Sequence, residues 1–118
     1  MAVQRLHVAK RFSEVAISGN LVHLAGQLAS DTSLDIKGQT QQTLDFIDQF
    51  LADAGTDKSH IMSVTIFLKD IENDYAGMNE VWDAWCSDIQ ALPRACVEAK
   101  MYKPEVLVEM TVVAVKPE

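Results

Sequence analysis

The sequence predicts a single α+β domain over residues 1–118, with two helices packed on one face of a mixed β-sheet. Three observations lead there. Apolar residues alternate with period 2 at the start, in the middle and at the end of the chain. Two intervening stretches switch to helical period. A chain of 118 residues can bury one sizeable core and is too short for two ordinary domains. The resulting order is β-β-β-α-β-α-β-β.

The first third of the chain reads as β. "FSEVAISG" and "NLVHLAGQ" are β-prone runs split by Ser18-Gly19-Asn20, a hairpin turn signal. A further strand is expected near residues 4–8. "GQTQQTLDFIDQFLADAG" then changes period. Leu44, Ile47, Phe50, Leu51 and Ala54 form one helical apolar face, while Asp45, Asp48 and Asp53 lie off it. Gly55 can take the positive φ that stops a helix.

"HIMSVTIFLKD" returns to period 2. Met62, Val64, Ile66 and Leu68 share one side, and Ile61, Ser63, Thr65 and Phe67 share the other. Apolar groups on both sides point to a strand with neighbours or cover around it. "NDYAGMNEVWDAWCSDI" reads as the second helix, capped by Asn73 or Asp74. Its expected buried stripe is Tyr75, Met78, Val81, Trp82, Trp85 and Ile89, a core-packing pattern.

"LPRACVEAKMYKPEVLVEM" supplies the last two strands, separated near Pro104. On the first, Arg94, Cys96, Glu98 and Lys100 share one side, and Ala95, Val97, Ala99 and Met101 the other. On the second, Val106, Val108, Met110, Val112 and Ala114 make an apolar side, while Glu109 points the opposite way with Leu107 and Thr111. The helices leave one sheet face without cover from its own chain. A bare apolar face is normally buried against a partner, so a homo-oligomer is expected.

Composition narrows the function classes. The chain carries a net charge of −7 with only ten basic residues, scattered. Tracking a phosphate backbone needs clustered Lys and Arg, so nucleic acid is a poor partner. No apolar stretch is long enough to span a bilayer. "MAVQRLHVAK" is followed by no signal-peptide core, and the two cysteines suggest no disulfide framework. A cytoplasmic protein with reduced thiols is expected. His7, His23 and His60 stand apart, no His or Cys pair has zinc-ligand spacing, and no Gly-rich phosphate loop occurs. No metal and no cofactor is therefore expected.

Arg94 and Glu109 carry the chemical interest. Both can be read as solvent-facing charges of a sheet. Yet Arg94 follows Pro93 at the start of a strand, where a rigid backbone can aim a side chain. Glu109 interrupts a β-branched apolar run, an expensive place for a carboxylate without a partner or water. The planar fork of an arginine receives a carboxylate through two parallel hydrogen bonds. A neighbouring carboxylate can hold a water and take its proton. Together they suit a small carboxylic acid that reacts with water. Cys96 shares the side of Arg94, but no histidine lies near it in sequence, so a buried small thiol is the better reading than a nucleophile.

These residues also carry a family resemblance. "PRACVEA" followed by "PEVLVEM" resembles the C-terminal signature of the Rid family, the reactive intermediate deaminases or YjgF-like proteins. "LAGQLASD", the first helix ending in Ala54-Gly55, and "VTIFLKDIENDYAGMNEVWDAW" with Asn79 extend the likeness from about residue 12 to 115. The resemblance implies a chorismate-mutase-like fold, a homotrimer with sites between subunits, and hydrolysis of 2-imino acids or their enamine tautomers, such as 2-aminoacrylate and 2-iminobutanoate, to 2-keto acids and ammonia. It implies that Arg94 binds the substrate carboxylate and that Glu109 positions water. The backbone at Cys96 would contact the imine nitrogen or the water, and Gly26 would let backbone approach the ligand. Phe12 and Ala25 stand where many members of the family carry Tyr and Ser, so two hydroxyls are missing from the expected site and the chain resembles a divergent branch. A non-catalytic keto-acid-binding trimer shares Arg94 with this reading. An RNA-cleaving activity, ascribed to some relatives, runs against the acidic balance.

Overall fold

The hairpin signal folds as expected. In the computed structural model, which describes residues 2–118, Gly19 takes φ +61° between strand β2 (Ser13–Ser18) and strand β3 (Leu21–Gln27). Strand β1 (Gln4–Val8) pairs antiparallel with β2. Helix α1 runs from Ile36 to Asp53, and starts ahead of the "GQT" segment because Asp35 caps it. The Asp35 carboxylate accepts the Gly38 N–H at 2.9 Å. Gly55, at φ +85°, ends it as expected. A single 3₁₀ turn at Lys58–His60 leads into β4 (Ile61–Leu68), which is followed by α2 (Ile71–Trp85), β5 (Arg94–Glu98) and β6 (Val108–Val115).

All six strands join one sheet in the order β1-β2-β3-β6-β4-β5. The last strand of the chain thus lies inside the sheet, antiparallel to both β3 and β4. β5 runs parallel to β4, and α2 is the crossover between them. α1 packs on β3, β6 and α2, and α2 packs on β4. Leu44, Ile47 and Leu51 of α1 and Val108, Met110 and Ala114 of β6 meet in a core where each is fully buried. Burying one such leucine or isoleucine side chain is worth roughly 1.5–3 kcal/mol. The Trp85 indole N–H donates to Asp48 Oδ2 at 3.0 Å and ties the two helices together. Among the described residues no element covers the other sheet face, and Phe67, Val113 and Val115 remain half-buried there beside exposed Val97.

Four local expectations are corrected. α2 is capped by Asp70, which accepts the Asn73 backbone and side-chain N–H groups, so Asn73 and Asp74 lie inside the first turn. Tyr75 belongs to no buried stripe; it is 42% exposed, its ring next to Arg94. Ile89 lies beyond the end of α2. Met62 is 55% exposed while Ile61 is buried. Between Ile61 and Ser63, β4 advances two residues against one on β6, and this bulge turns Met62 outward.

Candidate functional site

Strand register decides which charged side chains share a face. Arg94 pairs with Val64 and Cys96 with Ile66, and both partners are core residues beneath the helices. Val97 pairs with Phe67, and Phe67 pairs with Glu109. Paired residues point to the same side of a sheet. Arg94 and Cys96 therefore face the helix layer, and Glu109 faces the bare side. Within one chain the two residues lie on opposite faces.

Arg94 is held by α2. Its Nη2 donates to Asn79 Oδ1 at 2.7 Å and to the Tyr75 hydroxyl at 3.4 Å, and its Nη1 points at Met78 Sδ, 3.9 Å away. The guanidinium lies 5.2 Å from the centre of the Trp82 ring and 5.9 Å from that of Tyr75. The spacing Tyr75, Met78, Asn79, Trp82 is i, i+3, i+4, i+7, so one helix stripe presents all four contacts. None of them is anionic, and among the described residues Arg94 has no ion-pair partner. A half-buried, oriented cation without a counter-ion, in a chain of net charge −7, has the chemistry to receive an external anion. Burial pushes the Cys96 thiol up, and the nearby Arg94 charge only partly offsets this, so the thiol stays protonated at neutral pH. The Cys86 thiol is likewise pushed up by burial.

Glu109 has the mirror-image problem. It accepts no hydrogen bond and joins no ion pair among the described residues, and burial pushes its carboxyl above the ordinary carboxylate range. The antiparallel pairing of β3 with β6 brings Gly26 against it. A Cβ at position 26 would overlap Oε2 of Glu109 and sit 3.0 Å from its Cδ. Gly26 is thus the cradle of the Glu109 carboxylate, and space is what its missing side chain supplies.

One cavity opens at Gly26 and another at Glu109 itself. One, of about 420 Å³, is lined by Phe12, Gly26, Leu28, Ala29, Phe46 and Tyr102 together with Glu14, Gln27 and Ser30. The other, of about 230 Å³, contains Glu109 itself with Phe67, Lys100, Met101 and Tyr102. Tyr102 lines both and is 70% exposed. It rides on the segment between β5 and β6, which is pinned from beneath. Buried Gln39 donates from Nε2 to the carbonyls of Thr32, Leu34 and Glu105, and its Oε1 accepts the Leu107 N–H at 2.9 Å. The Lys69 ammonium donates to the Pro104 carbonyl.

The expected site residues fall into two groups. Arg94 and Cys96 stand by α2. Glu109, Gly26 and Phe12 stand around the cavities, and Ala25 next to Gly26 offers its carbonyl to Gln27 Nε2 at 3.1 Å. Sequence reasoning missed the orienting role of Tyr75, Asn79 and Trp82, and it missed Gln39 and Tyr102. For Gln39 a signal existed: an uncharged polar residue on the buried side of an amphipathic helix needs hydrogen-bond partners. Among the described residues, no group of three His, Cys, Asp or Glu side chains is placed to hold a metal, and no helix is long and apolar enough to cross a membrane.

Comparison with known proteins agrees with this architecture. Residues 2–116 match the family model described as Endoribonuclease L-PSP. A RutC family protein of Haemophilus ducreyi is 43% identical over 112 residues, covering 95% of both chains. The RutC family protein YoaB of Escherichia coli is 38% identical over 114 residues, 97% of this chain and 98% of that one. Among solved structures, a member of the YjgF protein family from Neisseria meningitidis superposes with a TM-score of 0.94 at 37% identity, covering 100% of this chain and 98% of that one.

Proposed function

The chain belongs to the Rid/YjgF family, and from that premise we propose that it hydrolyses reactive 2-imino acids, and enamines once tautomerised to imines, to 2-keto acids and ammonia. The observation that carries this reading is the pair of uncompensated charges: a cation held ready by α2, and a carboxylate without donors on the opposite sheet face. Each is costly alone. Both are accounted for if a second copy sets its bare face near the Arg94 of the first, so that one site takes its arginine from one chain and its glutamate from another. A homotrimer with three such clefts fits the uncovered face of Phe67, Val97, Val113 and Val115.

The chemistry follows from the two groups. Arg94 anchors the substrate carboxylate. Glu109, ionised, holds a water beside the C=N carbon and takes one of its protons as the C–O bond forms. The nitrogen gains that proton, and the resulting 2-amino-2-hydroxy acid collapses to the C=O product with loss of ammonia. In balance, R–C(=NH)–COO⁻ and H₂O give R–C(=O)–COO⁻ and NH₃. No redox partner is required. The two thiols are free, which suits a reducing cytoplasm. RNA cleavage, which the family description names, is disfavoured by the charge of −7.

The test has two parts. A dehydratase releasing 2-aminoacrylate or 2-iminobutanoate is mixed with the protein, and keto-acid formation is followed. Acceleration above spontaneous hydrolysis is expected; its absence, with keto acids still bound, leaves a passive binding protein. Arg94→Ala and Glu109→Gln chains are then unfolded together, refolded and assayed. If sites are shared between chains, random assembly restores both groups to about a quarter of them. No recovery from two separately inactive variants refutes the shared site.

A further inference from the structure

The larger cavity is more than catalysis on a small imine requires. Its volume of about 420 Å³ lies within the range of about 300–1,000 Å³ typical of sites that enclose whole small molecules. Part of its polar lining is already engaged inside the protein. Gln27 Nε2 donates to Glu14 Oε1 at 3.2 Å and to the Ala25 carbonyl, and the Ser30 hydroxyl donates to Gln42 Oε1 at 3.3 Å. The rest of the lining is chiefly the apolar wall of Phe12, Leu28, Ala29, Phe46 and Tyr102, with one Glu14 carboxylate oxygen at its edge. The cavity meets the reacting centre at Gly26, the residue that cradles the Glu109 carboxylate, and Tyr102 lines both spaces.

We infer that this apolar cavity receives the side chain of the substrate, and that the protein prefers 2-imino acids with a bulky branched or aromatic side chain over two- and three-carbon ones. The inference rests on the hydrolysis reading above and names its substrate class. With the imine carbon at the water on Glu109, the side chain passes Gly26 and Tyr102 and leaves water for the aromatic wall. The reaction is the same balanced hydrolysis. Phe12 belongs to this wall: a hydroxyl there would face an apolar ligand and lose its water without gaining a partner.

The experiment is a substrate series. An amino-acid oxidase, with oxygen and catalase, generates imino acids from alanine, leucine and phenylalanine, and semicarbazide competes for the imine. Values of kcat/KM for the leucine- and phenylalanine-derived imines are expected to exceed the alanine value by about tenfold or more, since one methylene in an apolar pocket is worth roughly 10–200-fold. Leu28→Trp, which fills the cavity, should bring that ratio toward one. Inhibition by the corresponding keto acids provides a second readout that needs no variant, with the bulky acids binding more tightly than pyruvate. Equal acceleration across the series overturns the inference and leaves the hydrolysis reading standing. No acceleration of any imine overturns the hydrolysis reading; the keto-acid series then decides the cavity, tighter binding of bulky acids supporting it and equal binding refuting it.

Discussion

Glu109→Gln separates catalysis from stability, because the two should move in opposite directions. The substitution keeps the shape of the side chain, so the tight packing against Gly26 is retained. It removes a carboxylate whose pKa burial has pushed above its ordinary 4.5. A raised folded-state pKa means that the folded protein holds this proton more tightly than the unfolded chain does. The associated stability is fully present below pH 4.5 and is lost as pH rises through the raised value. At pH 8 the wild-type protein therefore bears the cost of a buried charge that glutamine does not carry. The variant should melt at the same temperature as wild type or higher. Its turnover should fall, because a positioned acid–base group contributes roughly 10²–10⁴-fold. Catalysis needs the ionised form, so wild-type kcat/KM should rise with pH through the same window in which stability falls. Coupled keto-acid assays and melting curves from pH 4 to 8 read both. Wild-type turnover in Glu109→Gln, or an acid limb that survives the substitution, refutes Glu109 as the base.

Four further outcomes follow from the geometry. Arg94→Lys keeps the charge but loses the two-point fork, and kcat/KM should drop about a hundredfold or more, which at about 1.36 kcal/mol per tenfold is about 2.7 kcal/mol or more and falls within the roughly 2–5 kcal/mol of a buried charged pair; a fully active lysine variant would show that positive potential alone suffices. Arg94→Ala should also lower stability by about 1.5–3 kcal/mol in denaturant titrations, since its charged hydrogen bond to Asn79 braces α2. Gly26→Ala should fold, because the clash falls on the mobile end of Glu109, yet lose activity on the order of 10²-fold as the carboxylate is pushed aside by about 1 Å; unchanged kinetics would mean that the carboxylate position is not critical. Gln39→Leu strands the Leu107 N–H and three carbonyls, and should destabilise by about 2–3 kcal/mol in denaturant titrations; a loss under about 0.5 kcal/mol would show that water or relaxation replaces this hub.

Much of this protein is determined locally and was legible in the sequence. Helical spacing placed Leu44, Ile47 and Leu51 toward the core, and alternation buried Val108, Met110, Val112 and Ala114. The hairpin at Gly19 and the helix stop at Gly55 follow from glycine's access to positive φ. Such features depend on the geometry of a few neighbouring residues, which every stretch of chain carries with it. Where local signals competed, tertiary structure chose. Asp70 won the cap of α2 over Asn73 and Asp74, a bulge against β6 turned Met62 outward, and Tyr75 left the core to stand beside Arg94. The arrangement of the site was the least legible part. Alternation shows that Arg94 and Glu109 each point to one side of their own strand, but it does not relate one strand to another. That relation comes from β4 lying between β5 and β6, in a register that sets Arg94 beside Val64 and Glu109 beside Phe67. Pairing between distant segments is a non-local choice, made by the burial of the whole sheet, and it puts the two charged residues on opposite faces of one chain.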